Sequence, residues 1–138
     1  MHTKLHWQAQ FASHVLRQGG AIAHPTEAVW GLACDPFSED AVDYLLALKG
    51  RPLEKGLILV SSNVDHFADL LRPLDSDMKA RFMAPQPRPT TWIVPDELNF
   101  LPSWIKGKHS GVAVRVSKHP LIQELSRFFG GPIISTSA

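Results

Sequence analysis

Residues 112–138 read VAVRVSKHPLIQELSRFFGGPIISTSA, and their reading decides the fold. Val112–Val116 is a short run dominated by valine, which marks a strand. His119-Pro120 opens a helix, and Gly130-Gly131 closes it. Ile133-Ile134-Ser135 then begins a second strand. Strand, helix and strand in this order form the basic unit of an α/β protein. The stretch ends in Ser135-Thr136-Ser137, small hydroxyl residues at the C-terminal end of a strand. In α/β sheets such a position faces a ligand. Arg115, in the middle of the first strand, is costly to bury unless it points at a partner or lies on an open face.

The same alternation extends upstream. Thr91-Trp92-Ile93-Val94 is a strand closed by Pro95, with Trp92 expected in the core. No helix is evident between it and the 112–116 strand, so the sheet is expected to be mixed. Leu57-Ile58-Leu59-Val60 is a strong strand, followed by helical stretches near 64–71 and 76–83 and a proline-rich loop over 84–89. Ser38 is placed to cap a helix whose first turn holds Glu39 and Asp40, which suit the helix dipole. Ala41, Val42, Leu45, Leu46 and Leu48 give that helix its apolar stripe, and Lys49 with Gly50 ends it. Near the start, Trp7, Phe11, Val15 and Leu16 recur at helical spacing up to Arg17, and Gly19-Gly20 stop them. Ala21-Ile22-Ala23 reads as a short buried strand broken at His24-Pro25.

The composition fits an α/β domain and excludes other classes. The chain has 138 residues, 44% of them hydrophobic and 20% charged. A disordered chain would be less apolar. No apolar run approaches the roughly 18 residues that span a membrane, and the first residues lack a secretory signal pattern. Cys34 is the sole cysteine, so no internal disulfide is possible, and a reducing cytoplasm suits it. Beside Asp35 it makes a poor nucleophile and is expected in the core. Net charge is +1. Five of the basic side chains but one acidic one fall in residues 101–138, which makes that third a candidate anion-binding face. The chain reads as one domain over 1–138. Its end on a ligand-facing strand terminus predicts that more sequence would follow.

Three places stand out as chemistry. His24-Pro25-Thr26-Glu27-Ala28-Val29-Trp30-Gly31-Leu32 is a strand end followed by a rigid proline, a hydroxyl, an acid and a glycine. Such a turn can aim Thr26 and backbone N–H groups into a cleft. Lys49-Gly50-Arg51-Pro52 sets two cations on a stiff bend, a point charge and a planar fork able to grip a polyphosphate or a carboxylate. The third is Ser135-Thr136-Ser137, with Arg115 on the preceding strand. Neither phosphate-loop motif is present, and no metal-ligand spacing is found among the histidines.

In order and spacing, five pieces resemble the YrdC/Sua5 family: His24–Leu32, Leu48–Pro52, Lys55–Leu59, Val112–Val116 with His119-Pro120, and Ser135–Ala138. The short single-domain bacterial type is more similar than the longer two-domain type. The resemblance implies an open, twisted mixed α/β sheet with helices packed on it and a large concave basic cleft. It also implies a threonylcarbamoyl-AMP synthase activity. The substrates would be L-threonine, bicarbonate or CO2, and ATP with Mg2+, with no tightly bound organic cofactor. The adenylate product would supply N6 of adenosine 37 in tRNA through a separate transferase complex. By the resemblance, Lys49 and Arg51 are the catalytic cations on the phosphates. Thr26, Arg115 and Ser135 bind L-threonine, and Ser137 binds the nucleotide. Gln86-Pro-Arg-Pro-Thr-Thr91 stands where the family has Trp-Pro-Gly-Pro-x-Thr; if that glycine serves a positive φ or a close approach to a ligand, Arg88 is strained or blocks the cleft. The alternative reading is an RNA-binding module with a basic concave surface and no catalysis, possible tRNA contact being shared by both readings.

Overall fold

The computed structural model describes residues 2–25, 30–50, 57–107 and 109–137, with residues 2–5, 25, 30 and 137 through their backbone. Helix α1 spans His2–Arg17 and is followed by strands β1 (Ile22–Pro25) and β2 (Trp30–Cys34). Helix α2 (Glu39–Lys49) precedes β3 (Ile58–Ser61). A 3-10 turn over Val64–Phe67 runs into the short α3 (Ala68–Leu71), and α4 covers Ser76–Met83. Then come β4 (Thr91–Pro95), α5 (Ser103–Lys106), β5 (Gly111–Val116), α6 (Pro120–Phe129) and β6 (Ile133–Ser137).

The six strands form one sheet in the order β1-β2-β6-β3-β5-β4. Only β3 and β5 are parallel; the other four pairings are antiparallel. The expected mixed sheet is therefore present. The chain does continue as strand through His24-Pro25, against the expected break there. β1 is an edge strand, where a proline's missing N–H removes no ladder bond. Pro95 closes β4, the opposite edge, for the same reason. β2 was not anticipated. Its residues are apolar without alternation, because Leu32 and Cys34 face one layer and Ala33 the other.

The capping chemistry sets the helix bounds. Ser38 Oγ accepts from the Ala41 amide at 3.2 Å, and Gly50, at φ +60°, ends α2 in the left-handed conformation. His119 Nδ1 accepts from the Leu121 amide at 3.1 Å, Pro120 occupies the first turn, and Gly130 ends α6 at φ +79°.

Alternation along the strands assigns two layers. One face of the sheet buries Cys34, Leu59, Val94, Val112, Val114 and Ile134 against α2 to α5. The other buries Ala33, Val60 and Ile133 against Leu16 of α1 and Ile122 and Leu125 of α6. Trp92 packs against the first cluster, as expected of a core residue. Trp104 does as well. It sits on α5, and its indole N–H donates to the Pro36 carbonyl at 2.9 Å. No helix among the described residues is long and apolar enough to cross a membrane.

Candidate active site

The register of the sheet brings six strand ends together. Pro25 pairs with Trp30, Gly31 with Ser137, Ile58 with both Ser135 and Ala113, and Pro95 with Gly111. The C-terminal ends of β1, β4 and β6 and the N-terminal ends of β2, β3 and β5 therefore share one end of the sheet. The structure thus brings Ser135 and the Ser137 backbone to the same end as the strand termini that flank residues 26–29. Thr26 itself lies outside the described residues.

Lys49 is the last residue of α2, on the opposite layer, and is half-buried. After Gly50 the chain is next described at Leu57, whose amide donates to the Ile105 carbonyl at 3.1 Å. β3 starts there, at the same sheet end. Arg51 falls in the interval and lies outside the described residues.

Towards the β4 edge this end is partly open, whereas His24 and Ser135 at its β1–β6 side are buried. Ile93 is 74% exposed, and Ile58 and Ala113 are half-buried. Together with Gly111 they floor a cavity of about 430 Å³ whose rim includes Lys106, His109 and Ser110. The sequence did not single out Lys106 or His109. They reach the rim because the chain between β4 and β5 folds back through α5. That return is held by Asp96, a buried carboxylate that accepts from the Phe100 and Leu101 amides at 2.9 Å and from Lys106 Nζ at 3.0 Å. Burial alone would raise the Asp96 pKa. The two amides and the Lys106 ammonium outweigh it and hold the group below the ordinary carboxyl range.

Arg115 lies on the same face but nearer the other end, opposite Val60 and Thr91. Its Nε and Nη2 donate to Thr91 Oγ1 at 3.0 and 2.8 Å. The partner that a charge within a strand demands is therefore a hydroxyl on the edge strand. Two strands and one pleat repeat separate Arg115 from Ser135, roughly 12 Å by sheet spacings. Ser135 is closely engaged. Its Oγ lies 3.1 Å from Nε2 of His24, a buried imidazole on β1.

Asn99 is the only non-glycine with positive φ among the described residues, and Arg88 therefore carries no left-handed strain. Its side chain is exposed and lines a separate cavity with Phe82 and Trp92, on the helix-covered face. A cavity of about 560 Å³, larger than the first, lies at the far end of the sheet between Phe37, His66, Leu70 and Phe129. Among the described residues, none of the predicted site residues lines either this cavity or the first. Cys34 is fully buried and its thiol is pushed up to about 12, first by burial and then by Asp35. At neutral pH it is a packed thiol and no nucleophile.

Comparison with known proteins agrees with this geometry. The sequence model of the Sua5/YciO/YrdC family, described as telomere recombination, matches residues 14–138. A protein of Hahella chejuensis named threonylcarbamoyl-AMP synthase is 52% identical over 132 residues, spanning 96% of this chain and 71% of the relative. A protein of the same name from Pseudomonas aeruginosa PAO1 is 54% identical, over 96% of this chain and 70% of the relative. Among solved structures, Sua5 of P. abyssi complexed with L-threonine superposes with a TM-score of 0.81 at 29% identity, over 96% of this chain and 38% of that one. E. coli YciO, at 21% identity and a TM-score of 0.77, shares the fold. The chain thus spans about 70% of these two curated relatives and two fifths of the Sua5 structure.

Proposed function

The chain belongs to the Sua5/YciO/YrdC family, and on that premise we propose that it is an L-threonylcarbamoyl-adenylate synthase, acting on L-threonine, bicarbonate or CO2, and ATP. One observation carries the assignment of the site: the hydroxyl-rich end of β6, the ends of β1 and β2 that flank residues 26–29, and the start of β3 share one end of the sheet. The names of the relatives favour this reading over an RNA-binding module without catalysis.

The chemistry asks for positioning more than for proton transfer. The amine of L-threonine attacks the carbon of CO2 and loses a proton, giving a carbamate. A carbamate oxygen then attacks the α-phosphorus of ATP, and the bond to the β-phosphate oxygen breaks. Threonylcarbamoyl-AMP and pyrophosphate result. Both steps gather negative charge, so fixed cations and N–H donors govern the barrier. In this reading Lys49 and Arg51 hold the phosphates and the carbamate. Thr26 and Ser135 hold L-threonine, and Ser137 holds the nucleotide. Arg115 is assigned to the L-threonine carboxylate, which requires its guanidinium to leave Thr91 and swing towards the open end. Among the described residues no group of three carboxylate, histidine or cysteine side chains is placed to hold a metal. Mg2+ would arrive with ATP and shield the pyrophosphate. The adenylate would then serve a separate transferase acting on adenosine 37 of tRNA, in the cytoplasm.

Pyrophosphate release tests the reading. The protein should release it from ATP when L-threonine and bicarbonate are both present. Lys49→Ala and Arg51→Ala should each lower the rate by about a hundredfold, the usual loss on removing a transition-state donor. Equal release with L-serine or without an amino acid would overturn the substrate, and unchanged rates in both variants would overturn the role of the bend.

A further inference from the structure

We propose that His24 is a positioning residue for the amino-acid end of this site, fixing the Ser135 hydroxyl across a gap that Gly31 leaves in the intervening strand. The inference rests on the functional reading above for the ligand that Ser135 meets. The pairing itself rests on geometry alone.

His24 is on the edge strand β1 and Ser135 on β6, with β2 between them. Second-neighbour strands stand roughly 10 Å apart, beyond ordinary side-chain contact. His24 nevertheless places Nε2 3.1 Å from Ser135 Oγ. It does so by lying over its register partner, Gly31. A Cβ at position 31 would sit 3.1 Å from that Nε2, 3.3 Å from Cε1 and 3.2 Å from the Thr136 carbonyl oxygen. A side chain there would require the ring and the Thr136 carbonyl to give way by a few tenths of an ångström. The glycine is thus a clearance for an imidazole, and its own φ is not in the left-handed range.

The ring is 1% exposed and the serine 8%. A buried imidazole and a buried hydroxyl that meet in this way restrict each other's rotation. With one of its hydrogen-bonding directions taken by Nε2, the Ser135 hydroxyl presents its remaining capacity in fixed directions. That is preorganisation of a ligand contact without contact between His24 and the ligand.

The test compares KM values for L-threonine and ATP in the wild type, His24→Phe, His24→Gln, Ser135→Ala and the double variant His24→Phe/Ser135→Ala, each checked for an unchanged melting profile. His24→Phe should raise the KM for L-threonine about tenfold, as loss of one buried hydrogen bond does. The KM for ATP should change by less than about twofold. His24→Gln, whose amide can still reach Ser135, should recover most of the loss. The double variant should be no worse than Ser135→Ala alone. Parallel rises in both KM values, or multiplying effects, would overturn the proposal. The pairing is read without activity from the imidazole 15N spectrum of the ligand-free protein, where Ser135→Ala should shift the His24 resonances. An unshifted spectrum overturns the inference and leaves the synthase reading intact. A shifted spectrum in a protein with no L-threonine-dependent release overturns the synthase reading, and with it the role given to the pair.

Discussion

Asp96 shows how one residue can hold a cavity rim in place. Its carboxylate ends the turn after β4, fixes the return to α5 and draws the Lys106 ammonium to the cavity edge. The side chain is 1% exposed and that of Lys106 is 10%. Removing one partner leaves the other buried and uncompensated, so Asp96→Ala should destabilise the protein by about 3 kcal/mol at pH 7 in urea unfolding. The sign of its pH dependence follows from the depressed pKa. The unfolded carboxyl takes up a proton near its ordinary value of about 4, and the folded one does so only at lower pH. The stabilisation is therefore full above that value and is lost as the pH falls through the folded pKa. The gap between wild type and Asp96→Ala should narrow at pH 3. A constant gap would show that the charge contributes nothing.

At the scale of elements, the clearest signals in the sequence were the helix boundaries. Ser38 and Gly50 delimit α2, and His119-Pro120 and Gly130 delimit α6, because caps are local chemistry that needs no tertiary contact. Gly50 is at φ +60° with nothing within 4 Å of where a Cβ would stand. Gly50→Ala should accordingly cost only the left-handed backbone penalty, about 1 kcal/mol in thermal or urea unfolding. A loss several times larger would mean that the space is occupied in solution. β2 was illegible because a strand buried on both faces shows no alternation, and β1 was cut short because its position at the sheet edge excuses Pro25. For the site, the hydroxyls at the end of β6 and the Lys49–Arg51 bend were legible as local patterns. His24 was not, since its reach to Ser135 exists only through the register β1-β2-β6. Nor were Lys106 and His109, brought in by the fold-back through α5. For Arg115 the need for a partner was legible, but the strand pairing that supplies Thr91 was not.

At the scale of the whole molecule, the sheet divides the labour between its two ends. Helices α1 and α6 seal one end of their face over Val60 and Ile133. The other end is open towards the β4 edge, where Ile93 is exposed, and closes over the buried Ser135 on the far side of Ile58 from Ala113. This polarity comes from the strand order, because antiparallel β6 lies between β2 and β3 and carries its hydroxyl terminus to the ends of both neighbours. The account's central claim is that L-threonine binds there, and not in the larger cavity between Phe37, His66 and Phe129 at the far end. Backbone amide chemical-shift mapping of the protein titrated with L-threonine tests it most directly. The largest changes should cluster at residues 24–31, Ile58, Ala113 and 135–137. Changes centred on Phe37, His66, Leu70 and Gly130, with the open end silent, would contradict it.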